Sequence, residues 1–291
     1  MTTDFSFIQL ADPQFGLFAS SSRKTDEEIA TFAKRGLIIR KAPLIEGFTP
    51  ETALFTRAIE HANWLKPAFV VVCGDMVNEC DNDDQVAEVK RIAGLLHPSI
   101  PIHWVPGNHD VAVDHINPDL ESIESYLQNF GSDYYAFSHG GVRFIVINST
   151  LFTSPGPLVD RANAQLAFVD AEATIAIDRS TENQNATGGQ VQTVLFSHHP
   201  LFVETPDEAD NPWSITRQYR MPLLEIAADR GIGTNFAGHW HRNNVVKRNG
   251  LEVISSGSVG YPLWHDPSGF RVAKVTAGEI THEYHSLEVD D

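Results

Sequence analysis

Polar side chains with metal-binding atoms follow several short apolar runs of this sequence, where each run is typical of a buried strand. Because the carboxyl ends of the strands in an open α/β sheet line one crevice, we expect these side chains to converge there. The blocks that follow the runs are Ala11-Asp12-Pro13-Gln14, Gly74-Asp75-Met76-Val77-Asn78, Pro106-Gly107-Asn108-His109-Asp110, Ser197-His198-His199-Pro200 and Gly238-His239-Trp240-His241.

These blocks offer oxygen and imidazole donors, which suit divalent Mn, Fe, Zn or Mg. Glycines before Asp75, Asn108 and His239 let the backbone turn sharply off each strand. The number of donors exceeds what one tetrahedral ion uses, so we predict two metal ions, divalent or mixed-valence, with Asp75 as the bridging carboxylate. The ligands predicted from the residues alone are Asp12, Asp75, Asn108, His198, His239 and His241.

The charge of the chain restricts its partners. Its 291 residues carry a net charge of −17, which argues against nucleic-acid and anionic-membrane binding, since both need dense Lys and Arg. Two divalent ions beside Asp12 and Asp75 leave a local positive charge even with a bridging hydroxide, and this attracts a phosphate anion. We therefore expect a phosphorylated substrate, either a small phosphoester or a phosphoprotein, with the metal-bridging hydroxide as nucleophile.

His109 follows a predicted ligand and is the candidate general acid for the leaving alkoxide. Asp110 is expected to hold its imidazole and to stabilise the charged form. The alternative is that His109 is a further ligand or a packed residue. Residues near other strand ends or pocket loops are candidates for substrate or outer-sphere contacts, namely Asn78, Asn148, His199, Tyr261 and His265.

The remaining pattern alternates strands and helices, as expected of one α/β domain over residues 1–291. Residues 17–49 fit it least, and we interpret them as an insertion that is either a solvated loop or a substrate-facing lid. Strands are predicted over 5–10, 69–73, 102–105, 134–137, 142–147, 193–196, 234–237, 245–247, 251–255, 270–276 and 280–286. Helices are predicted over 49–65, 83–95, 117–130, 161–177 and 222–230.

The cellular setting is inferred from what the sequence carries. Cys73 and Cys80 are expected to be free thiols, which fits a reducing cytoplasm. The longest purely apolar run, 68–73, is far below the roughly 20 residues of a spanning helix, and we recognise no signal peptide. We therefore expect a cytoplasmic protein.

The five blocks and their order resemble the calcineurin-like metallophosphoesterase superfamily, whose pattern is D-x-H, G-D, G-N-H-D/E, H-x-P and G-H-x-H. The resemblance covers residues 12 to 241 and implies a four-layer α/β/β/α sandwich of two mixed sheets. Gly131-Ser132-Asp133-Tyr134-Tyr135 and Asp266-Pro267-Ser268-Gly269 are similar to a serine/threonine-phosphatase-like member of the superfamily. This similarity implies hydrolysis of phosphomonoesters, including phosphoproteins.

The resemblance also implies a ligand set. It assigns one metal to Asp12, Gln14, Asp75 and His241, and the other to Asp75, Asn108, His198 and His239. Gln14 stands where the superfamily has histidine, and its carbonyl is a harder ligand than imidazole, which favours Mn or Mg at that site. The alternative is that Gln14 donates its amide N–H to a bound water. The identity of the metals stays open.

Two other functions fit the same residues. A cyclic-nucleotide or other phosphodiesterase uses the same metal core, and Trp240, Tyr261 and Trp264 offer platforms on which a base can stack. A catalytically inactive metal-binding scaffold is the second, although such a protein is expected to have lost ligands or His109.

Overall fold

The computed structural model describes residues 3–34, 37–187 and 192–288, with the side chains of all but 177–187. Within these residues the strands form one five-stranded and one six-stranded sheet. In chain order the strands are β1 (Phe5–Leu10), β2 (Val70–Cys73), β3 (Ile102–Val105), β4 (Tyr135–His139), β5 (Val142–Val146), β6 (Thr193–Phe196), β7 (Ile232–Ala237), β8 (Asn244–Arg248), β9 (Leu251–Ser255), β10 (Gly269–Thr276) and β11 (Glu279–Ser286).

Parallel strands form the middle of both sheets. The first sheet has the order β11-β10-β1-β2-β3, and the second has the order β4-β5-β6-β7-β9-β8. Strands β1 to β3 are parallel in the first sheet, as are β5, β6, β7 and β9 in the second, with antiparallel hairpins at the margins. The parallel strands of each sheet therefore end at one edge, where their loops can meet.

Helices connect the strands and cover the outer faces of the sheets. They are α1 (Leu17–Ser22), α2 (Asp26–Lys34), α3 (Thr49–Leu65), α4 (Asp83–Ala93), α5 (Asn108–Val111), α6 (Leu120–Phe130), α7 (Thr150–Thr153), α8 (Val159–Thr187) and α9 (Arg217–Arg230), with a 3-10 turn at Gly156–Leu158. No helix within the described ranges is both long and apolar enough to span a membrane.

Side-chain alternation divides the interior into layers. Phe7 of β1 and Val71 of β2 belong to a cluster between the sheets, whereas Ile8 and Val70 on the same strands face the helices. Because both faces of these strands are buried, β2 is a continuous apolar run and β1 is largely apolar. The layers are helix, sheet, sheet and helix, and the predicted sandwich of two mixed sheets is confirmed.

Three helices begin at residues other than the predicted ones, and one of them, α8, begins at Val159 and not at residue 161. Helix α6 begins at Leu120 and not at residue 117, because Asp119 caps it by accepting the backbone N–H of Ser122 at 2.9 Å. Helix α9 begins at Arg217 and contains Pro222, which was expected to open it. Its first turn is closed by N–H donors to the carbonyl of Thr216, upstream of the proline.

The segment 17–49 is not a plain loop, since it contains α1 and α2; its residues 35 and 36 lie outside the described ranges. Thr25 and Glu28 form reciprocal capping contacts that begin α2, with the Glu28 carboxylate 2.7 Å from the Thr25 backbone N. Farther along, Ile39 forms a β-bridge with Leu263. The segment is thereby attached to the loop after β9. Its status as an insertion within a single domain stays a prediction.

The cluster between the sheets predicts where the fold is most sensitive to truncation. Phe7 is fully buried, and its ring centroid lies 5.0 to 5.8 Å from those of four other phenylalanines. We expect Phe7→Ala to lower the free energy of unfolding by roughly 3–5 kcal/mol. Trp64→Ala is the control, because Trp64 is 76% exposed, and we expect a change of about 0.5 kcal/mol. Urea unfolding measures both, and equal losses would contradict this assignment of the core.

Candidate metal centre

The predicted ligands adopt an unusual backbone conformation. Asp12, Gln14, Asp75, His239 and His241 have φ between 37° and 62°, in the left-handed region that non-glycine residues rarely occupy. Each such residue costs on the order of 1–3 kcal/mol. Because these residues directly follow β1, β2 and β7, the left-handed turn directs their side chains into the crevice between the two sheets.

Acceptor atoms surround one ring nitrogen at the centre of this crevice. The Nε2 atom of His198 lies 3.2 Å from an Asp75 carboxylate oxygen and 3.1 Å from the side-chain oxygen of Asn108. The amide nitrogen of Asn108 donates to the carbonyl of His115 at 2.8 Å, which leaves the oxygen facing His198. The Nδ1 atom of His239 lies 3.1 Å from the same Nε2 atom.

Backbone carbonyls hold the opposite nitrogen of each imidazole. His198 Nδ1 donates to the carbonyl of Cys73 at 2.9 Å, and His239 Nε2 donates to that of Pro212 at 2.9 Å. His241 Nδ1 donates to the carbonyl of Tyr261 at 3.0 Å. Because a carbonyl only accepts, the other nitrogen of each ring keeps its lone pair toward the crevice.

The donor set fits divalent cations. When both rings are neutral, as ligation requires, their facing lone pairs 3.1 Å apart, with a carboxylate and an amide oxygen beside them, repel one another unless a cation lies among them. Asp12, Asp75 and His198 form one group of close ligand atoms, and His198, His199 and His239 form another. The second grouping brings His199 nearer to the cluster than the sequence suggested.

The side chain of Gln14 gives separate evidence for a bound cation. This side chain is 3% exposed, and its carbonyl oxygen has no hydrogen-bond partner among the residues that the structure describes. Its amide nitrogen faces the side-chain oxygen of Asn78 at 3.4 Å, so the oxygen is the atom left for another ligand. A buried acceptor without a donor is costly, and a metal ion satisfies it. This favours the carbonyl-ligand interpretation of Gln14 over the amide-donor alternative.

The charges of the buried groups are strongly coupled. Burial alone would raise the pKa of Asp75, but the imidazole of His198 lowers it. Burial alone would lower the pKa of His198, but the carboxylate of Asp75 raises it to about 9. Burial and then the charge of His198 lower the pKa of His239 to about 4, so that ring is neutral and able to ligate. The carboxylate of Asp75 therefore needs a positive partner, which is either the imidazolium of His198 or a divalent ion.

His109 lies at the rim of this cluster. Its backbone N–H donates to Asp75 at 2.9 Å, and its ring Nδ1 donates to the carbonyl of Asn78 at 2.8 Å. The ring stacks on His115 with centroids 4.1 Å apart and remains half-buried. Asn78 thus contacts two predicted site residues, His109 and Gln14.

The expected pairing of Asp110 with the imidazole of His109 is wrong. One oxygen of Asp110 accepts the backbone N–H groups of Met76 and Val77, and the other accepts that of Gly107 at 2.7 Å. Burial and then the charge of Asp75 raise the pKa of Asp110 to about 7. Asp110 therefore joins the loops that carry Asp75 and Asn108.

Several residues predicted to contact substrate or the outer sphere of the metals do not lie in the crevice or have other partners. The side-chain amide of Asn148 donates to Asp133 at 3.1 Å, while the adjacent Ser149, which the sequence did not single out, accepts the backbone N–H groups of His198 and His199. Tyr261 is 1% exposed and its hydroxyl donates to the carbonyl of Arg40, so the side chain does not line the crevice. His265 is exposed. The predicted free thiols, Cys73 and Cys80, are buried and unbridged.

A loop missed by sequence reasoning completes the site. Pro212, between β6 and α9, supplies the carbonyl that holds His239, and the Trp213 ring lies 5.9 Å from that imidazole. Glu208 organises this loop by accepting backbone N–H groups of Val203, Glu204 and Thr205. A carbonyl partner has no residue-type signal, so the sequence could not indicate it.

The metal centre and the sandwich around it define a metallophosphoesterase. The calcineurin-like phosphoesterase family model matches residues 9–243, so the chain belongs to this family. Family membership confirms the predictions of a metal-dependent phosphatase of the metallophosphoesterase class and of a phosphorylated substrate. The human protein named serine/threonine-protein phosphatase CPPED1 is 31% identical over 98% of this chain and 84% of its own length. The CPPED1 of Danio rerio is 30% identical over 98% and 85%.

Solved structures share the fold. A dimetal phosphatase from Danio rerio superposes with a TM-score of 0.61 over 97% of this chain and 99% of its own, at 15% identity. The purple acid phosphatase PPD1 from Lupinus luteus has a TM-score of 0.64 over 99% of this chain and 52% of its own, at 13% identity. At these identities the comparisons support the architecture alone.

The close approach of Gly107 to Asp75 gives a steric test of the site. A Cβ atom at Gly107 would lie 2.1 Å from an Asp75 carboxylate oxygen and 2.2 Å from its backbone nitrogen, although φ of −100° suits any residue. We expect Gly107→Ala to displace Asp75 and to weaken metal binding by about 10–100-fold, measured by equilibrium titration with Mn and Zn.

The matched control for this substitution is Gly233→Ala, because a Cβ there meets one atom at 4.0 Å. Its metal affinity should equal that of the wild type. Unchanged affinity in Gly107→Ala, with a native circular dichroism spectrum, would show that Asp75 is not a ligand.

Proposed function

We propose that the protein is a binuclear metal-dependent phosphomonoesterase acting on phosphoserine or phosphothreonine in proteins. The observation that carries this proposal is the convergence of carbonyl-held imidazoles, buried carboxylates and the unpartnered oxygen of Gln14 on one crevice. The name of the CPPED1 relatives, serine/threonine-protein phosphatase, supports the substrate class.

The ligands divide into two sets that share Asp75. Asp12 and His241 belong together, because His241 Nε2 lies 3.3 Å from an Asp12 oxygen. Asn108 and His239 surround His198 Nε2 at 3.1 Å each. We assign one ion to Asp12, Gln14, Asp75 and His241, and the other to Asp75, Asn108, His198 and His239.

The chain's own residues then have distinct tasks. Two divalent ions, when bound, activate water and neutralise charge on the phosphoryl oxygens. His109 keeps Nδ1 engaged by the Asn78 carbonyl, so Nε2 is the atom that protonates the leaving alkoxide. Because the backbone N–H of His109 donates to Asp75, the general acid His109 is held at a fixed position relative to the bridging ligand Asp75.

The phosphodiesterase alternative has less support. The guanidinium of Arg242 lies over the rings of both Trp240 and Trp264, at 4.6 and 5.1 Å from their centroids, and Tyr261 is buried. The platforms proposed for a base are therefore covered on one face or out of reach. Para-nitrophenyl phosphate and bis-(para-nitrophenyl) phosphate separate the two activities, and faster turnover of the diester would contradict our proposal.

The metal content tests the binuclear assignment. Elemental analysis of metal-saturated protein should give two ions per chain, and one ion or fewer would refute it. We expect Gln14→His to raise the affinity of one site for Zn relative to Mn, because an imidazole nitrogen replaces a harder oxygen. Competitive titration of both proteins measures this, and an unchanged Zn-to-Mn ratio would mean that Gln14 is not a ligand.

The general-acid role predicts a leaving-group effect. His109→Ala should retain both metals and lose roughly 10²–10⁴-fold in turnover of alkyl phosphates. The loss should shrink for para-nitrophenyl phosphate, whose leaving group needs no proton. His97→Ala is the control, since that imidazole is exposed and bonded to Ser99. A uniform loss across leaving groups, or loss of metal, would exclude the role.

A further inference from the structure

An arginine lies over two indole rings and directly follows the proposed ligand His241 in the chain. The guanidinium carbon of Arg242 is 4.6 Å from the ring centroid of Trp240 and 5.1 Å from that of Trp264. Arg242 directly follows His241 and is half-buried. Stacking covers the faces of a guanidinium and leaves its N–H edge free for planar bidentate contacts.

A continuous row of rings joins this arginine to the metal centre. The ring of Trp213 lies 5.9 Å from that of the proposed ligand His239 and 6.0 Å from that of Trp264. Two rings, those of Trp213 and Trp264, therefore lie between the His239 imidazole and the guanidinium. Arg242 also adjoins the proposed ligand His241 in the chain, which puts its Cα atom about 3.8 Å from that of His241, so we expect a second group on a phosphoester bound at the metals to reach it.

The guanidinium has no anionic partner among the residues that the structure describes. Arg242 takes part in none of the ion pairs found there. The carboxylate of Asp266, which lies by the same turn, accepts the backbone N–H of Asn243 at 3.0 Å instead. In a chain with a net charge of −17, an arginine held without a carboxylate is available to an external anion.

Trp264, one of the two rings next to Arg242, has a strained backbone conformation. Trp264 has φ of 60°, which is rare for a bulky residue and costs on the order of 1–3 kcal/mol. Its backbone N–H donates to the carbonyl of Ile38 at 3.0 Å, and its carbonyl accepts from Arg40 at 3.0 Å. Its indole N–H donates to the carbonyl of Trp240 at 3.1 Å. The segment 38–40 thus fixes Trp264 against Arg242.

The surface beside His109 is acidic. Glu79, Asp81, Asp83 and Asp84 line a cavity with His115, whose ring stacks on that of His109. A second negative group on the substrate is repelled from this surface. The acidic cavity repels a second anion and Arg242 attracts it, so a substrate with two anions is favoured when the second one lies toward Arg242.

We propose that Arg242, which lies over Trp240 and Trp264, binds a second oxyanion of the substrate, next to the phosphoester that is hydrolysed. This inference rests on the proposed function and narrows its substrate class. The oxyanion is either a carboxylate beside the phosphoserine of a peptide or a second phosphate of a small molecule. Arg242 acts as a specificity-determining residue, and no bond is made or broken at it.

Binding without turnover tests the inference. The probes are peptides with a non-hydrolysable difluoromethylene phosphonate in place of phosphoserine phosphate, with Glu or Gln at each neighbouring position. A second pair is 1,3-propanediol bisphosphate and propyl phosphate, used as competitors. For metal-loaded wild type we expect the probe with the second anion to bind about tenfold tighter in one of the pairs. In Arg242→Gln, the ratio of the dissociation constants of the two probes in that pair should fall to about one.

Two further variants support the interpretation. Arg248→Gln removes an exposed arginine from the β8–β9 hairpin and should leave the ratio unchanged. Arg242→Lys keeps the charge without the planar fork and should give an intermediate ratio. Metal content and circular dichroism of each variant establish that the fold is retained.

The outcomes separate this inference from the proposed function. A ratio near one for both probe pairs in wild type, or a ratio that persists in Arg242→Gln, would overturn the inference even if phosphatase activity is present. A preference confined to the bisphosphate would support Arg242 and contradict the phosphoprotein substrate. Absence of para-nitrophenyl phosphate hydrolysis would contradict the proposed function alone, because the binding ratio does not depend on turnover.

Discussion

Two buried carboxylates at the ends of adjacent strands impose the main constraint on this molecule. Asp12 and Asp75 are withdrawn from water, so each needs donors or cations around it. Asp12 follows β1 in one sheet and accepts the backbone N–H of His239, which follows β7 in the other. Asp75 accepts the N–H of His109. Because these carboxylates accept N–H groups from loops of both sheets, the loops are held together at one place.

The orientation of the ligand imidazoles depends on backbone carbonyls outside the ligand set. The carbonyl that holds His198 belongs to the last residue of β2, and those that hold His239 and His241 come from the loops before α9 and after β9. Each carbonyl determines which ring nitrogen keeps a lone pair. The ligand geometry is therefore a property of loop packing, and the phenylalanine cluster between the sheets supports it by fixing the separation of the strand ends.

Sequence patterns anticipated the strands and the convergence of the ligands, because burial on both faces and strand-end topology leave direct signals. They did not anticipate the left-handed φ of Asp75 or His239, since glycine is the usual signal for that region. The role of Asp110 was misread because three backbone N–H groups, which no sequence displays, compete for its carboxylate. Helix α2 was missed although the Thr25–Glu28 capping pair was visible, because its mixed charges suggested a loop.

The pairing of β1 with β10 has a consequence for biosynthesis. Phe5 is in register with Val275, so a central position of the first sheet is filled by two segments separated by most of the chain. During translation, β1 emerges well before β10, so one of its edges stays open until β10 leaves the ribosome. The order of synthesis thus delays closure of that sheet, and with it the loop of Asp12, to a late stage. Contacts of such long sequence separation also slow refolding of the whole chain.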